Sequence, residues 1–246
     1  MPRFFVDMPL RTGDVEQLPD DVVRHVQVLR LQTGDSIALF NGEGGEYVAE
    51  LVDIERRSVT AKIAGFRDID VEPPYRLTLA QGIAGGDKMD WLIEKAVELG
   101  ASRVVPLTAA RSVVRLSGER AQRRNAHWQG IVRASCEQCG RNRLPDVAPV
   151  SDFAAWLGAL SRRPADDELR LLLSPRGSIA FSALPAEPPQ GRVIVLIGPE
   201  GGLSMEEETA AVDQGFTPVG LGPRVLRTET AGMAMLAALA ARWGGW

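Results

Sequence analysis

The sequence predicts an α/β protein in which a small β-rich domain precedes a larger parallel-sheet domain. Two observations carry this. Short runs of alternating character, SIALF (36–40), EYVAELVDI (46–54) and SVTAKIAG (58–65), are punctuated by the turn-forming stretches NGEGG (41–45) and ERR (55–57). Several short strands with tight turns make a small barrel or curled sheet. From residue 76 onward, continuous apolar runs alternate with helical patterns. Strands that are apolar on both faces belong inside a parallel sheet, and their alternation with helices defines an α/β domain. Pro73–Pro74, after an acidic stretch, reads as the linker. The expected domains are therefore 1–72 and 73–246.

Taken in order, LPDDVVRHVQVLRL (18–31) has Val22, Val23, Val26 and Leu29 on one face and is expected to form a short helix. RLTLAQGI (76–83) is an apolar strand. In the stretch that follows, Asp87 is placed to cap a helix whose apolar face is Met89, Leu92, Ile93, Ala96 and Val97, with Gly100 at its end. SRVVPLTA (102–109) is the next strand, and a long basic helix covers 117–138. LRLLLSP (169–175), RVIVLIGP (192–199) and TPVGLG (217–222) are strands; 205–215 and 228–243 are helices.

With 246 residues the chain can bury a substantial core without covalent staples. The segment MPRFFVDMPLRTGD lacks a sustained apolar stretch, so no secretory leader is expected. The longest apolar run, AGMAMLAALAARW, is too short to cross a bilayer and reads as a buried helix. Only Cys136 and Cys139 are present, which is no disulfide framework. A cytoplasmic protein without membrane contact is the expectation. The net charge of −4 does not announce a nucleic-acid partner. Its distribution says more: from Arg111 to Arg143 there are eight arginines against Glu119 and Glu137, a local patch that can attract phosphate. Arginine outnumbers lysine throughout, so the patch alone does not decide the matter.

Three segments carry candidate chemistry. IGPEGGLS (197–204) follows an apolar strand and precedes a helix. Its glycines let backbone approach a ligand closely, and such loops lie where open parallel sheets bind ligands. It contains neither GxxxxGK[ST] nor GxGxxG, which argues against a nucleoside triphosphate or a dinucleotide. LGPRVLRTETAG (221–232) also follows a strand and places Arg224 and Arg227 beside glycine and proline. Thr228 and Glu229 suit a helix start in any case. CEQCGRNR (136–143) is weak evidence for a metal, because zinc needs four ligands and His25 and His127 are scattered; no metal is expected. Its residues Glu137, Gln138, Arg141 and Asn142 are suited to a base edge or a phosphate.

Together, IGPEGGLS, LGPRVLRTETA, EQCGR and GGDKMDWLIEKAVELG, with PRFF and HVQVLRLQTGD near the N-terminus, resemble the RsmE-type bacterial small-subunit ribosomal RNA uridine-N3 methyltransferases. The resemblance spans nearly the whole chain. It implies an N-terminal PUA-like β-barrel associated with RNA binding and a C-terminal α/β domain of the SPOUT superfamily with a deep trefoil knot, one of the few exceptions to the rule against knots. It implies S-adenosylmethionine as methyl donor, a homodimer, and as target uridine 1498 of 16S ribosomal RNA in the assembled small subunit. Carried onto this sequence, the donor pocket comprises Leu173, Ser174, Ile197, Gly198, Pro199, Gly201, Gly202, Leu221, Gly222, Val225 and Leu226. The RNA-facing residues are Arg3, Arg24, Arg30, Glu137, Gln138, Arg141 and Arg143. The family often has serine at the position of Cys139, so no essential thiol is expected there.

Methyl transfer to N3 of uracil needs alignment, a contribution of roughly 7–11 kcal/mol, and relief of the N3 proton. Arg227 is the candidate for stabilising the uracil anion, and Glu200 or Glu229 for accepting the proton or orienting the arginine. Three rival readings stand beside this one, of which a dinucleotide-dependent enzyme is disfavoured by the missing GxGxxG. A non-catalytic RNA-binding assembly factor explains the basic patch but leaves both glycine-rich loops idle. A methyltransferase acting on another ribosomal or transfer RNA base would use the same loops.

Overall fold

The computed structural model describes residues 1–176 and 179–246. The chain forms two compact units. The first comprises Met1–Glu72 and Arg133–Leu144, the second Pro73–Val132 and Pro145–Trp246.

In the first unit, strands β1 (Arg3–Phe5), β2 (Val15–Gln17), β3 (Ser36–Phe40), β4 (Glu46–Ile54) and β5 (Val59–Arg67) form one sheet in the order β1-β3-β4-β5-β2. β3, β4 and β5 make an antiparallel meander, as the period-two pattern and Gly-rich turn predict. Register shifts between Val48 and Ala49 and between Leu51 and Asp53 mark irregularities of the β4–β5 pair, of the kind that bend a strand. Helix α1 (Asp20–Val28) buries Val22, Val23 and Val26 in one core with Phe4, Ile37, Leu39, Leu51 and Ile63. Burying each such side chain stabilises by roughly 1.5–3 kcal/mol. The helix is shorter than its periodicity suggests. Leu31 N–H bonds back to Val26 O, and Arg30 takes the left-handed conformation (φ 55°) usually left to glycine.

The second unit is built on β6 (Arg76–Gly82), β7 (Arg103–Thr108), β8 (Asp146–Val147), β9 (Ser151–Asp152), β10 (Glu168–Leu173), β11 (Ile179–Ala180), β12 (Arg192–Ile197) and β13 (Thr217–Gly220). The order is β11-β13-β10-β12-β6-β7-β8, with β9 also on β7, and every pairing is parallel. Its helices are α2 (Lys88–Glu98), α3 (Gly118–Cys139, whose last turns belong to the first unit), α4 (Phe153–Ala159), α5 (Met205–Asp213) and α6 (Thr228–Trp243). Phe153 and Leu157 of α4 and Ala211 of α5 share a core with Leu172, Ile194 and Leu196 on one sheet face. On the other face α6 crosses β12 where Gly232 meets Ile197. Helices thus cover both faces, which is why Leu171–Leu173 of β10 and Val193–Ile197 of β12 are continuous apolar runs. Among the described residues no helix is long and apolar enough to cross a membrane.

Two local expectations are corrected. Asp87 sits at the start of α2 but makes no capping bond, because its φ/ψ of −85°/1° is not the extended conformation that turns the carboxylate onto the first turn. Helix α4 has no counterpart in the sequence reading. It starts at Asp152, whose Oδ1 accepts the N–H groups of Ala154 (2.9 Å) and Ala155 (3.1 Å).

Strand β10 also contains Arg170, whose side chain is wholly buried. Its guanidinium donates to Ser161 O (2.8 Å), Ser161 Oγ (3.0 Å), Gln214 O (2.6 Å) and the Glu168 carboxylate, which also pairs with Arg192. Burial raises the Glu168 pKa, but the hydrogen bonds from Arg192 and Arg170 outweigh it and hold the group below its ordinary 4.5. The stabilisation from this carboxylate is therefore complete above that value and is lost as pH falls below it. Glu168→Gln is expected to cost about 3 kcal/mol by leaving a buried charge uncompensated. Urea unfolding would show this as a lowered midpoint at unchanged slope, with most of the loss recovered in Glu168→Gln/Arg170→Met.

Candidate active site

Parallel sheets leave a crevice at the carboxyl ends of their strands. Here the loops after β10 (173–175), β12 (197–203) and β13 (221–227) converge on one cavity of about 360 Å³. It is lined by Leu173, Ser174, Ile197, Gly198, Pro199, Gly201, Gly202, Leu221, Gly222, Val225 and Leu226, so the loops singled out by glycine and proline meet in space. Arg227, Glu200 and Glu229 line it too, together with Lys88.

The first loop is held by backbone. Gly202 N–H donates to Pro199 O (2.8 Å), and Ser204 and Glu207 form a reciprocal capping box at the start of α5. At Gly198 a Cβ would lie 2.6 Å from Leu203 N and 2.7 Å from Gly202 C. At Gly82, the last residue of β6, it would lie 2.4 Å from Pro199 N. In the second loop, Gly222 has φ +101°.

Two residues that sequence reasoning did not select tie these loops together. Buried Gln81 at the end of β6 donates from Nε2 to Thr228 Oγ1 (2.9 Å) and lies 3.3 Å from Gly198 O. Thr228 Oγ1 in turn donates to Gly198 O (2.6 Å). Thr228 is therefore a strut between the loops rather than a cap; Arg227 occupies the N-cap position of α6. The only sign of this in the sequence is a glutamine at the end of an otherwise apolar strand. On the opposite side, Ser174 Oγ is 3.2 Å from Glu208 Oε1 and accepts Arg176 N–H (3.1 Å).

The charged groups divide unevenly. Lys88 Nζ lies 3.2 Å from Glu200 Oε1 and 3.8 Å from Glu229 Oε1. Glu200 Oε1 also accepts Gly85 N–H (2.9 Å). Burial raises the Glu200 pKa, but the bonds from Gly85 and Lys88 prevail and lower it. Glu229 Oε2 is buried without a hydrogen-bond partner among the described residues. The expected orienting of Arg227 by one of these glutamates is not what the geometry shows: both face Lys88, and the exposed Arg227 keeps its guanidinium donors uncommitted among the described residues.

The seven residues expected to face RNA all lie in the first unit and separate into two groups. Arg3 pairs with Glu46 and donates to Asn142 Oδ1 (2.6 Å); buried Arg141 makes a two-pronged pair with Glu72; Glu137 accepts Phe5 N–H (3.0 Å). Arg24, Arg30, Gln138 and Arg143 are exposed, Arg143 within 3.6 Å of Asp70. Burial pushes the Cys136 thiol up to about 12, far from a reactive thiolate.

Comparison with known proteins agrees with this architecture. Residues 71–240 match the family model of the RNA methyltransferase domain, and residues 18–64 that of the RNA methyltransferase PUA domain. Ribosomal RNA small subunit methyltransferase E of Bacillus subtilis is 33% identical over 97% of this chain and 96% of its own length. The protein of that name from Neisseria gonorrhoeae, crystallised bound to S-adenosyl methionine, superposes with a TM-score of 0.91 at 37% identity, covering 99% of this chain and 98% of that one. A methyltransferase from Legionella pneumophila, solved with bound cofactor SAM, has a TM-score of 0.90 at 34% identity, covering 97% and 96%. A parallel-sheet domain with its cavity at the strand ends, preceded by a PUA domain and matched along nearly its whole length, places this chain in the RNA methyltransferase family of the ribosomal RNA small subunit methyltransferase E type.

Proposed function

We propose that this protein methylates N3 of a uridine in 16S ribosomal RNA, using S-adenosylmethionine, on the assembled small subunit in the cytoplasm, and that it acts as a homodimer. The observation that carries the reading is the cavity where the three strand-end loops meet. It suits this donor. Leu173, Leu221, Val225 and Leu226 offer apolar surface for an adenine ring, and the glycines at 198, 201, 202 and 222 open backbone to its polar edge. Glu229 and the uncommitted Arg227 supply polar groups at its wall.

When bound, S-adenosylmethionine supplies a methyl group on a cationic sulfur that departs as a neutral thioether, so no metal is called for. The chain's residues then have two tasks. Glu229, which lines the cavity, accepts the N3 proton, since Glu200 is already engaged by Gly85 and Lys88. Arg227, at the positive end of α6, stabilises the charge left on the uracil carbonyl oxygens. On the RNA side, Arg24, Arg30, Gln138 and Arg143 contact the substrate, while Arg3, Glu137 and Arg141 fix the surface that presents them. Arg30 supports this, because a non-glycine residue held at positive φ costs energy that a functional demand offsets.

The test is calorimetric titration of the protein with S-adenosylmethionine, followed by mass spectrometry of 16S RNA from small subunits treated with protein and donor. Binding together with a methyl group on N3 of one uridine is the expected result. Donor binding with methylation at another atom or in another RNA would favour the second enzyme reading; no binding at millimolar donor would favour an assembly factor.

A further inference from the structure

We infer that the loop between β7 and α3 carries a second RNA-binding edge, on which Arg111 and Arg115, joined by Arg120, take phosphates of the strand that brings its target base to the cavity. The inference rests on the reading of the protein as an RNA methyltransferase given above, and it adds an edge in the second unit to the contacts of the first.

The eight arginines from Arg111 to Arg143 are not alike once folded. Arg123 pairs with Glu119 (2.7 Å), Arg124 with Asp90 (2.8 Å), Arg141 with Glu72 and Arg143 with Asp70 (3.6 Å), and Arg133 lies over the Phe5 ring. Arg111, Arg115 and Arg120 are exposed and make no ion pair among the described residues. The charge that no carboxylate offsets is therefore concentrated at the N-terminal end of the patch.

The fold sets that end beside the donor cavity. Residues 109–112 form a turn, closed by Ser112 N–H on Ala109 O (3.1 Å) and by Ala109 N–H on Ser112 Oγ (3.0 Å). Ala110 N–H donates to Glu207 Oε1 (2.7 Å), and the other oxygen of that carboxylate accepts Ser204 N–H (2.8 Å) at the start of α5. Arg111 Nη1 donates to Gly201 O (3.2 Å), and Gly201 lines the cavity. That bond leaves most of the Arg111 donors without a partner among the described residues. Beyond the turn, exposure alternates: Arg111, Val113 and Arg115 face solvent, whereas Ser112 and Leu116 are buried. The buried residues anchor the loop, and the arginines stand on its outer edge. Of the nearby acids, Glu207 is spent on backbone N–H groups, and Glu206 feels the Arg111 charge without pairing with it. A guanidinium keeps its charge and presents a planar fork of donors that matches phosphate. Phosphate contacts fix the register of a strand without reading its sequence. Held against the cavity wall, these arginines seat the backbone that flanks the target while its base enters.

The test uses the full-length protein and a short unstructured oligouridylate, with affinity followed by fluorescence anisotropy across salt and single-turnover methylation of small subunits measured beside it. For a single strand, log affinity falls against log salt with a slope of about 0.7 per neutralised phosphate. Arg111→Gln and Arg115→Gln should each lower the slope by about 0.7 and weaken binding roughly fourfold near physiological salt; the double variant should lose roughly 15-fold. The concentration of small subunits that gives half the maximal rate should rise in step. Calorimetry should find the donor affinity of Arg115→Gln unchanged. Arg103→Gln removes the same charge at the opposite end of β7 and should leave the slope nearly as it is. An unmoved slope in the double variant, beside a wild-type protein that methylates small subunits, overturns the edge and leaves the enzyme reading standing. An equal loss in Arg103→Gln makes the effect one of bulk charge and overturns it as well. So does an unmoved slope with a double variant that sediments as a monomer where wild type is a dimer, since the edge is then a contact between copies. A lowered slope in a protein that binds no donor and methylates no RNA supports the phosphate edge and sinks the enzyme reading instead.

Discussion

Gly198→Ala should weaken S-adenosylmethionine binding by at least about 100-fold, close to 3 kcal/mol, while leaving the protein folded. The added methyl group would meet Leu203 N and the Gly202 backbone at 2.6–3.0 Å, and backbone atoms cannot swing aside as the end of a side chain can. The loop must move, and with it the cavity wall that it forms. Overpacking of this kind costs typically about 1–3 kcal/mol; on a loop it is relieved by displacement, so the loss falls on binding more than on stability. Gly82→Ala should act alike although Gly82 does not line the cavity, because its Cβ would strike Pro199 N and Cδ from behind. Gly130→Ala, in a helix with open space around it, is the control: binding unchanged and stability raised by roughly 0.5–1 kcal/mol. Calorimetry and urea unfolding on the three variants separate the two effects. Wild-type affinity in Gly198→Ala would show that the 198–202 loop does not shape the donor site.

How much of this the sequence discloses depends on the range of the interaction. β3 and β4 are read to the residue, because alternation and a glycine turn are local signals. The strand-end loops are equally visible, since Gly198, Gly202 and Gly222 stand where backbone is folded tightly or at positive φ. Strand order is not visible: nothing in the periodicity of TPVG places it beside β10 rather than β12. Nor are Gln81, Thr228 and Lys88 visible as parts of the site. Gln81 and Thr228 are separated by 147 positions and Lys88 and Glu200 by 112, and a pattern of neighbours carries no information about partners so distant. The arginines show the same limit. Composition marks a basic patch, but only the fold shows that Arg141 is buried against Glu72 while Arg143 is exposed. It also places Arg133–Leu144 with the first unit, although the linker-like Pro73–Pro74 lies well before it.

Arg227→Ala should lower the single-turnover methylation rate by about 10²–10³-fold, the usual cost of removing one donor aimed at developing negative charge, with donor affinity retained. The argument begins with the neighbour. Thr228 is locked by Gly198 O and Gln81, so the backbone of Arg227 is pinned at the rim of the cavity in the extended conformation of an N-cap (φ −65°, ψ 154°). Its side chain therefore starts from a fixed point, which limits the entropy lost when it meets substrate. Lys88 occupies the two nearby carboxylates, so the Arg227 guanidinium is not neutralised by them before substrate arrives. The first turn of α6 adds its own positive end. A base whose N3 proton has left spreads charge over two carbonyl oxygens, and a planar fork of donors suits that charge better than an ammonium; Arg227→Lys should recover only part of the rate. Because the interaction strengthens as charge develops, the loss belongs to the rate and not to substrate affinity. Near-normal turnover in Arg227→Ala would remove this residue from the reaction. A rate loss matched by a loss of donor affinity would instead make it a support of the second loop, and the charge on uracil would then fall to the helix N-terminus alone.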